Sequence, residues 1–208
     1  MIVDSIIFDL DGTLWDSSEQ VAESWNIVLK QLGIKKVLNK QDIMDVMGML
    51  LKDIIKKILP DEEETVRLDV LAHLCAHENE YVSKIGGVLF SHVEETLKEL
   101  SKQYKLAIVS NCQVGYIEAF FKAHNLRKYF VDYENPGRTG LDKAGNISLV
   151  IERNGFLHPI YVGDTLGDQL SAKKAGVPFI YASYGFGEVN EYERKITSFE
   201  ELPRLLRQ

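Results

Sequence analysis

The stretch Ile6–Ser17, which reads IIFDLDGTLWDS, places two acidic residues directly after an apolar run and then turns at Gly12. The run is short and rich in β-branched residues, a pattern that predicts a buried strand. Asp9 and Asp11 are two apart, so their side chains point the same way on an extended chain. Carboxylates held close together repel each other unless a cation lies beside them. The stretch therefore predicts a buried strand that ends at a charged, cation-binding site.

Four later segments resemble the first predicted strand, Ile2–Phe8, and helical patterns separate them. Strands that alternate with helices form right-handed units and a parallel sheet covered on both faces. The sequence therefore predicts an α/β fold with a Rossmann-like parallel sheet and helices on both of its faces. The other strands are predicted at Lys105–Val109, Tyr129–Tyr133, Pro159–Val162 and Pro178–Tyr181.

The helices between these strands are predicted from apolar residues at helical spacing and from residues that begin or end helices. Ser91 and Glu94 have the spacing of a capping box, which predicts a helix that begins there. An apolar stripe over Val114–Phe121 predicts a second helix. Two further helices are predicted to end at Gly155 and Gly176, since glycine is the preferred residue just after a helix.

The stretch from Ser17 to Ile85 breaks this alternation, because it contains helical patterns and no convincing strand. Apolar residues recur at helical spacing from Val21 to Leu32 and from Val66 to Ile85, with two shorter helices predicted around Gly48. An all-helical block after the first strand predicts a small cap domain at residues 17–85. The catalytic core would then consist of residues 1–16 and 86–208.

Composition limits the partners and the location that we expect. The chain has 208 residues and a net charge of −7 with no basic stripe, which argues against nucleic acid and anionic membranes as partners. No apolar stretch approaches the roughly 20 residues that span a bilayer, and the N-terminus does not resemble a signal peptide. Cys75 and Cys112 form no CxxC pair and are expected to be free thiols. We expect a cytoplasmic protein, either monomer or homodimer.

Polar residues follow three of the predicted strands, at the edge of the sheet where open α/β proteins bind ligands. A lysine precedes one of the core helices and would supply a local positive charge. The candidate site residues are Asp9, Asp11, Thr13, Ser110, Asn111, Lys143, Asp164 and Asp168. Four carboxylates that converge on one edge favour a hard divalent cation with oxygen ligands, and Mg²⁺ is the cation that we expect.

These motifs and their order resemble those of the haloacid dehalogenase-like phosphatase superfamily, and closely the branch that includes phosphoglycolate phosphatase. DLDGT at residues 9–13 matches the family's nucleophile motif, Ser110 its second motif, Lys143 its third and GDTLGD at residues 163–168 its acidic fourth. The helical insertion lies where the family places its cap. The resemblance covers nearly the whole chain and implies Mg²⁺-dependent hydrolysis of a small phosphate ester such as phosphoglycolate.

The resemblance also implies a role for each candidate residue. Asp9 would attack phosphorus and form an aspartyl-phosphate, while Asp11 would act as general acid and base. The implied metal ligands are Asp9, Asp11 through its backbone carbonyl, Asp164, and Asp168 either directly or through water. The implied donors to the phosphate oxygens are Thr13, Ser110, Asn111 and Lys143.

Two other functions stay open on the sequence alone. A sugar-phosphate mutase of the β-phosphoglucomutase kind would use the same acids, but those relatives tend to carry valine in place of Thr13. They also carry arginine where this chain has Met49–Leu51. A non-catalytic binding protein on the same fold is the other alternative, although it has no need for the acid–base role of Asp11. We expect substrate specificity to come from the cap near Gly48–Lys52.

The assignment of the third motif has an alternative, because this chain departs from the family there. The family often has proline after the lysine, whereas Ala144 follows Lys143 here. Lys122 and Lys128 are the possible substitutes.

Other residues fit both a structural and a functional interpretation. His73 and His77 are four apart, a spacing that can bind zinc, but no third ligand is evident, so surface or packing roles are expected. Trp15 and Trp25 are expected to pack within the protein rather than to stack on substrate. The segment Tyr184–Gly187 is expected to be a loop that either lies apart from the site or borders it.

Overall fold

A parallel β-sheet forms the centre of the computed structural model, which describes residues 2–207. The strands are β1 (Ser5–Phe8), β2 (Trp15–Asp16), β3 (Val88–Leu89), β4 (Lys105–Val109), β5 (Asp132–Glu134), β6 (Pro159–Gly163), β7 (Phe179–Ala182) and β8 (Arg194–Ile196). Six of them form a sheet in the order β5-β4-β1-β6-β7-β8, and every neighbouring pair in it is parallel. Strands β2 and β3 form a separate antiparallel pair. The predicted parallel α/β sheet is confirmed.

Helices lie on both faces of this sheet. They are α1 (Ser18–Gln31), α2 (Lys40–Met44), α3 (Leu51–Ile58), α4 (Glu64–Ile85), α5 (Val93–Leu100), α6 (Tyr116–His124), α7 (Pro136–Thr139), α8 (Lys143–Asn154), α9 (Leu166–Ala175) and α10 (Leu202–Leu206). Successive residues of β1 point to opposite faces, since Ile6 and Phe8 belong to one buried apolar cluster and Ile7 to another. None of the described helices is long and apolar enough to cross a membrane.

The predicted helical cap is confirmed, because α1 to α4 follow one another between β2 and β3. Helix α4 packs against both α1 and the core helix α6. Buried cap residues such as Trp25 and Leu74 belong to the same apolar cluster as Phe8 of β1. The cap therefore packs on the sheet domain through a continuous core. The boundaries at residues 17 and 85 stay a prediction.

Several details of the core differ from the predicted elements, among them the start of β1 at Ser5 rather than Ile2. The capping box at Ser91 is wrong, because α5 begins at Val93 after His92, whose φ of 61° is left-handed and whose side chain makes no capping bond. Strand β5 begins at Asp132 rather than Tyr129, since residues 127–129 form a short 3-10 turn. Strand β8 was not predicted, because its first two residues are charged and exposed.

Candidate active site

Three neighbouring strands of the sheet bring the candidate residues to one edge. Asp9 follows β1, Ser110 follows β4 and Asp164 follows β6, and β1 lies between the other two. The backbone N–H of Asp9 donates to the carbonyl of Val162, which continues the sheet to this edge. All three polar side chains are buried. The structure thus brings these three side chains to the same edge of the sheet.

A buried cluster of three carboxylates forms the centre of the site. Oxygens of Asp9, Asp164 and Asp168 all lie within 4.8 Å of one another. The ammonium of Lys143 donates to Oδ1 of Asp9 at 2.9 Å and to Oδ1 of Asp168 at 2.6 Å. The single positive charge of Lys143 cannot balance three carboxylates, so a further cation would stabilise the cluster.

The pKa values of these groups express the same imbalance. Burial raises the pKa of Asp9 to about 7, and the charge of Asp168 adds to this while Lys143 opposes it. Burial, with the charges of Asp168 and Asp9, holds the pKa of Asp164 well above its usual value. Burial alone would lower the pKa of Lys143, but the two carboxylates that it contacts raise it instead. Lys143 therefore stays charged at neutral pH, while the carboxylates resist being ionised together.

Lys143 is the lysine that reaches the acidic cluster. It is the first residue of α8 and its side chain is buried against Asp9. Lys122 is exposed, and Lys128 lies on the surface 3.4 Å from Glu94. The geometry thus agrees with the assignment of Lys143 to the third motif.

Asp168 is held by the start of its own helix. Its Oδ2 accepts hydrogen bonds from the backbone N–H of Thr165 at 3.0 Å and from the Thr165 hydroxyl at 2.7 Å. Thr165 in turn caps α9, so the two residues form a capping box. The other oxygen, Oδ1, accepts from Lys143 and from the Tyr161 hydroxyl at 3.3 Å. These bonds occupy both oxygens and fix the orientation of the carboxylate.

Asp164 is enclosed by two tight turns of the backbone. Its Oδ1 accepts from the Thr13 hydroxyl at 3.1 Å, and its Oδ2 accepts from the backbone N–H of Phe186 at 2.8 Å. A Cβ at Gly12 would lie 2.2 Å from Oδ2 of Asp164, and one at Gly185 would lie 2.3 Å from its Cβ. Only glycine fits at either position. The loop Tyr184–Gly187 therefore borders the site.

Asp11 lies beside the cluster and has its own set of donors. Its Oδ1 accepts from the Trp15 indole at 2.8 Å, the Ser17 hydroxyl at 2.7 Å and the Tyr116 hydroxyl at 3.0 Å. None of the residues from 2 to 207 donates to its Oδ2 in the structure. Burial raises the pKa of Asp11, although these hydrogen bonds oppose the shift. One oxygen is thus anchored, and the other can carry a proton.

The cavity above these acids lies between the core and the cap. Asp9, Asp11, Ser110 and Asn111 line its core side. The side-chain amide of Asn111 donates to the carbonyl of Gly48 at 2.9 Å and so ties a cap loop to the core. The cap side is mostly apolar and consists of Val21, Trp25, Ile43, Val46, Met47, Gly48, Met49, Leu51, Ile54 and Glu78.

Sequence reasoning missed several residues of the site. Tyr116 and the cap residue Glu78 lie far from Asp11 along the chain, so no local pattern brings them together. The missed residues are Ser17, Glu78, Gln113, Tyr116 and Tyr161. Trp15 and Trp25, expected only to pack, also donate to Asp11 and to Glu78 respectively. Ser17 follows the DLDGT motif closely and could have been suspected.

The two histidines of α4 lie apart from the acidic cluster. Nδ1 of His77 lies 2.8 Å from the Ser24 hydroxyl, and its ring stacks on Tyr81. Nδ1 of His73 lies 2.8 Å from the carbonyl of Asp69 at the surface. These contacts fit the surface and packing roles that were expected for them.

The fold and the site together define an α/β protein that carries a buried acidic centre under a helical cap. The model of the haloacid dehalogenase-like hydrolase family matches residues 6–182. The chain is 30% identical over 192 residues to a phosphoglycolate phosphatase of Aquifex aeolicus, with 89% of this chain and 87% of that protein covered. It is 29% identical over 193 residues to a phosphoglycolate phosphatase of Vibrio parahaemolyticus, with 87% and 84% covered.

A solved structure shows the same fold. A haloacid dehalogenase-like family hydrolase from Streptococcus pneumoniae superposes with a TM-score of 0.83 at 22% identity, and 98% of each chain is covered. The chain belongs to the haloacid dehalogenase-like hydrolase family.

Proposed function

We propose that the protein is a Mg²⁺-dependent phosphatase that hydrolyses the phosphate monoester of a small metabolite. The observation that carries the proposal is the buried group of Asp9, Asp164 and Asp168 with Lys143 beside it, in a cavity that also contains Asp11. Membership of a hydrolase family and similarity to proteins named phosphoglycolate phosphatase support phosphatase activity. The metal, the substrate and the residue roles are part of the proposal.

Asp9 is the nucleophile in this proposal. A carboxylate that attacks phosphorus forms an aspartyl-phosphate and divides one difficult displacement into two easier ones. Lys143 holds Oδ1 of Asp9 at 2.9 Å, which leaves the second oxygen of that carboxylate to attack. Because burial raises the pKa of Asp9, the ionised form that attacks needs nearby positive charge. Lys143 supplies one such charge.

Asp11 is the general acid and base. The proton is carried on Oδ2, because Oδ1 already accepts three hydrogen bonds. Burial raises the pKa of Asp11 and so favours the protonated form, which donates to the leaving alcohol. The ionised carboxylate then accepts a proton from the attacking water, which restores the starting state. Trp15, Ser17 and Tyr116 keep the carboxylate oriented through both steps.

Mg²⁺ fits the donor set of the site. Asp9 and Asp164 offer hard oxygen ligands, and the family resemblance implies the backbone carbonyl of Asp11 as a third. Each oxygen of Asp168 already accepts at least two hydrogen bonds from the protein, whereas each oxygen of Asp164 accepts one, which favours a contact through water for Asp168. When bound, the ion supplies positive charge that screens the nucleophile from the phosphate and stabilises charge on the transferring oxygens.

Phosphate oxygens are bound by donors from two strand ends and from α8 in this proposal. Ser110 and Asn111 line the cavity beside Asp9, and the Lys143 ammonium lies next to the nucleophile. The Thr13 hydroxyl donates to Asp164 in the structure. Thr13 therefore positions Asp164, and its contact with phosphate is proposed from the family resemblance.

Hydrolysis is preferred to the two alternatives. The cap side of the cavity is mostly apolar and offers few donors to a sugar ring, which disfavours a mutase. A binding protein needs no anchored carboxylate beside the acidic cluster, which disfavours a non-catalytic role. The cap at residues 17–85 selects the substrate in this proposal. The enzyme acts in the cytoplasm, in keeping with its free cysteines.

The test is phosphate release from a panel of small phosphate monoesters, with Mg²⁺ and with a chelator present. The Asp9→Asn protein should release phosphate at less than about a thousandth of the wild-type rate, because an amide of the same size is a far poorer nucleophile. Far-ultraviolet circular dichroism should show that this variant is folded. Substantial turnover by Asp9→Asn, or no turnover of any ester by the wild type, would contradict the proposal.

A further inference from the structure

Glu78 is a buried carboxylate that faces the catalytic acids from the cap. It lies on α4, is 4% exposed, and lines the same cavity as Asp9 and Asp11. It makes no hydrogen bond to the acidic cluster or to Lys143 within residues 2–207. The reaction steps proposed above do not use it. A buried acid on the cap side of the cavity therefore needs a separate explanation.

The hydrogen bonds of Glu78 leave it able to bind a ligand. The Trp25 indole donates to Oε2, and the Gln113 amide donates to Oε1 at 3.0 Å. Each carboxylate oxygen can accept two hydrogen bonds, so one position on each oxygen is still available. A glutamine at position 78 could make both bonds as well. Its oxygen would accept from the Trp25 indole, and its amide would donate to the oxygen of Gln113 once the Gln113 amide is flipped. A charged residue is therefore not needed to hold these elements together.

The residues that line the cavity include acids and no bases. Among the described residues that line it, Asp9, Asp11 and Glu78 are acidic, and none is lysine, arginine or histidine. The Lys143 ammonium is bonded to two carboxylates at the base of the site. A substrate whose leaving group carries a carboxylate, such as phosphoglycolate, would place that carboxylate near Glu78 with no cation to pair with it. Like charges held together in a desolvated site repel strongly.

We infer that Glu78 selects phosphate esters whose leaving alcohol carries a cationic amino group, and that it selects against esters that carry a carboxylate. This inference rests on the proposed phosphatase function and names the substrate class of that site. The phosphate lies against Asp9, and the amino group lies at Glu78. The carbon chain between them contacts the apolar cap residues, including Ile43, Val46 and Met49.

The ionisation of Glu78 is consistent with this selectivity. Burial raises the pKa of Glu78 to about 7, with a contribution from the charge of Asp11 and against the hydrogen bonds from Gln113 and Trp25. An ammonium bound beside it favours the ionised form, so the pair forms at neutral pH. A bound carboxylate has the opposite effect and can be accommodated only with an added proton.

The experiment compares three esters of similar size that differ in charge: phosphoethanolamine, ethyl phosphate and phosphoglycolate. For the wild type we expect kcat/KM to be at least about tenfold higher for phosphoethanolamine than for phosphoglycolate, with ethyl phosphate between them. In Glu78→Gln the preference for the amine over ethyl phosphate should disappear. Glu80→Gln is the matched control, because Glu80 lies on the same helix but is exposed and paired with Lys84. It should keep the wild-type order.

Preference of the wild type for phosphoglycolate, or equal changes for all three esters in Glu78→Gln, would overturn the inference. Binding to the Asp9→Asn protein, measured by calorimetry, separates this result from failure of the proposed function. If no ester is hydrolysed, the phosphatase proposal fails, while the order of the three affinities still tests recognition at Glu78. Tighter binding of the amine by about tenfold supports the inference, and equal or reversed affinities contradict it.

Discussion

At the scale of single residues, Lys143 is the side chain on which the acidic cluster depends. It is 3% exposed and contacts two buried carboxylates, so its charge compensates theirs directly. When one partner of a buried ion pair is removed, the remaining charge is left in a poor solvent, which costs more than the pair itself contributes. The effect of a Lys143 substitution should therefore appear in stability as well as in activity.

Lys143→Met keeps most of the length of the side chain and removes the charge. We expect the free energy of unfolding without metal to fall by about 3–5 kcal/mol, because Asp9 and Asp168 lose their shared cation. Phosphate release should fall by about a hundredfold to a thousandfold, as expected for loss of a donor to the reacting group. Urea unfolding and ester hydrolysis measure the two effects.

Lys122→Met, at an exposed position on α6, is the control and should change neither stability nor activity. A stable and active Lys143→Met protein would refute the assigned role.

Residues of the site differ in how well the sequence revealed them. Asp9, Asp11, Asp164 and Asp168 belong to two short motifs at strand ends, so their local pattern was enough to predict that they converge. Glu78 was missed, because its neighbours along α4 give no sign that this position faces the cavity. Its contacts come from α1 and from the segment before α6. Only the packing of those elements places it there.

At the scale of elements, the loop after β7 is part of the site although its sequence indicates only a loop. Gly185 lies against Asp164 and the carbonyl of Gly12, and the next residue, Phe186, donates its backbone N–H to Asp164. The constraint at Gly185 comes from lack of space and not from a left-handed backbone. An added methyl group must therefore displace Asp164 or the turn at Gly12.

Gly185→Ala should impair metal binding and turnover together. A Cβ at this position would lie 2.3 Å from the Cβ of Asp164, and overpacking of this kind costs about 1–3 kcal/mol of stability. A shift of about 1 Å in Asp164 should lower kcat/KM by about a hundredfold and raise the Mg²⁺ concentration needed for half-maximal activity. Unfolding curves and Mg²⁺ titrations of the rate test this.

Gly167→Ala provides the comparison for Gly185→Ala. Gly167 lies in α9, and an added Cβ would meet only the Thr165 hydroxyl at 3.5 Å, an ordinary contact. Alanine also favours a helix over glycine by about 0.5–1 kcal/mol. We expect this variant to be active and slightly more stable. Equal effects of the two substitutions would show that the loop does not position Asp164.

The elements that the sequence did not predict are those whose residues show no repeating apolar pattern. Strands β2 and β3 have two residues each, which is too short to show alternation. The long strands and helices were predicted because buried residues repeat along them, as in β4, where four of five residues are buried. The capping box at Ser91 failed because spacing alone does not fix the backbone, and His92 adopts a left-handed conformation instead.

At the scale of the whole molecule, the cap and the core are joined by polar bonds as well as by apolar packing. Glu78 and Asn79 of α4 both accept hydrogen bonds from Gln113, and the side chain of Asn79 donates to the carbonyl of Val114. These contacts bring a buried carboxylate to the interface between the cap and the core. The stability of the whole fold should therefore depend on the ionisation of Glu78.

The sign of this dependence follows from the pKa of Glu78, which burial raises from 4.5 to about 7 in the folded protein. Between these pH values the unfolded chain loses this proton while the folded protein keeps it. Stability from this group is therefore fully present below about pH 4.5 and is lost as the pH rises through about 7. Asp9 also makes the free energy of unfolding fall as the pH rises, since its pKa is raised to about 7 as well.

Glu78→Gln removes the contribution of Glu78 and leaves that of Asp9 in place. The difference in free energy of unfolding, variant minus wild type, should rise by up to about 3 kcal/mol between pH 4.5 and pH 8, because only the wild type must bury a charge. Urea unfolding at a series of pH values without metal measures this difference.

Glu80→Gln, with its side chain exposed beside Lys84, should show no rise of this kind. A difference for Glu78→Gln that stays constant with pH would mean that Glu78 is ionised without cost in the folded protein. In that case the cavity would already hold a compensating charge before any substrate binds.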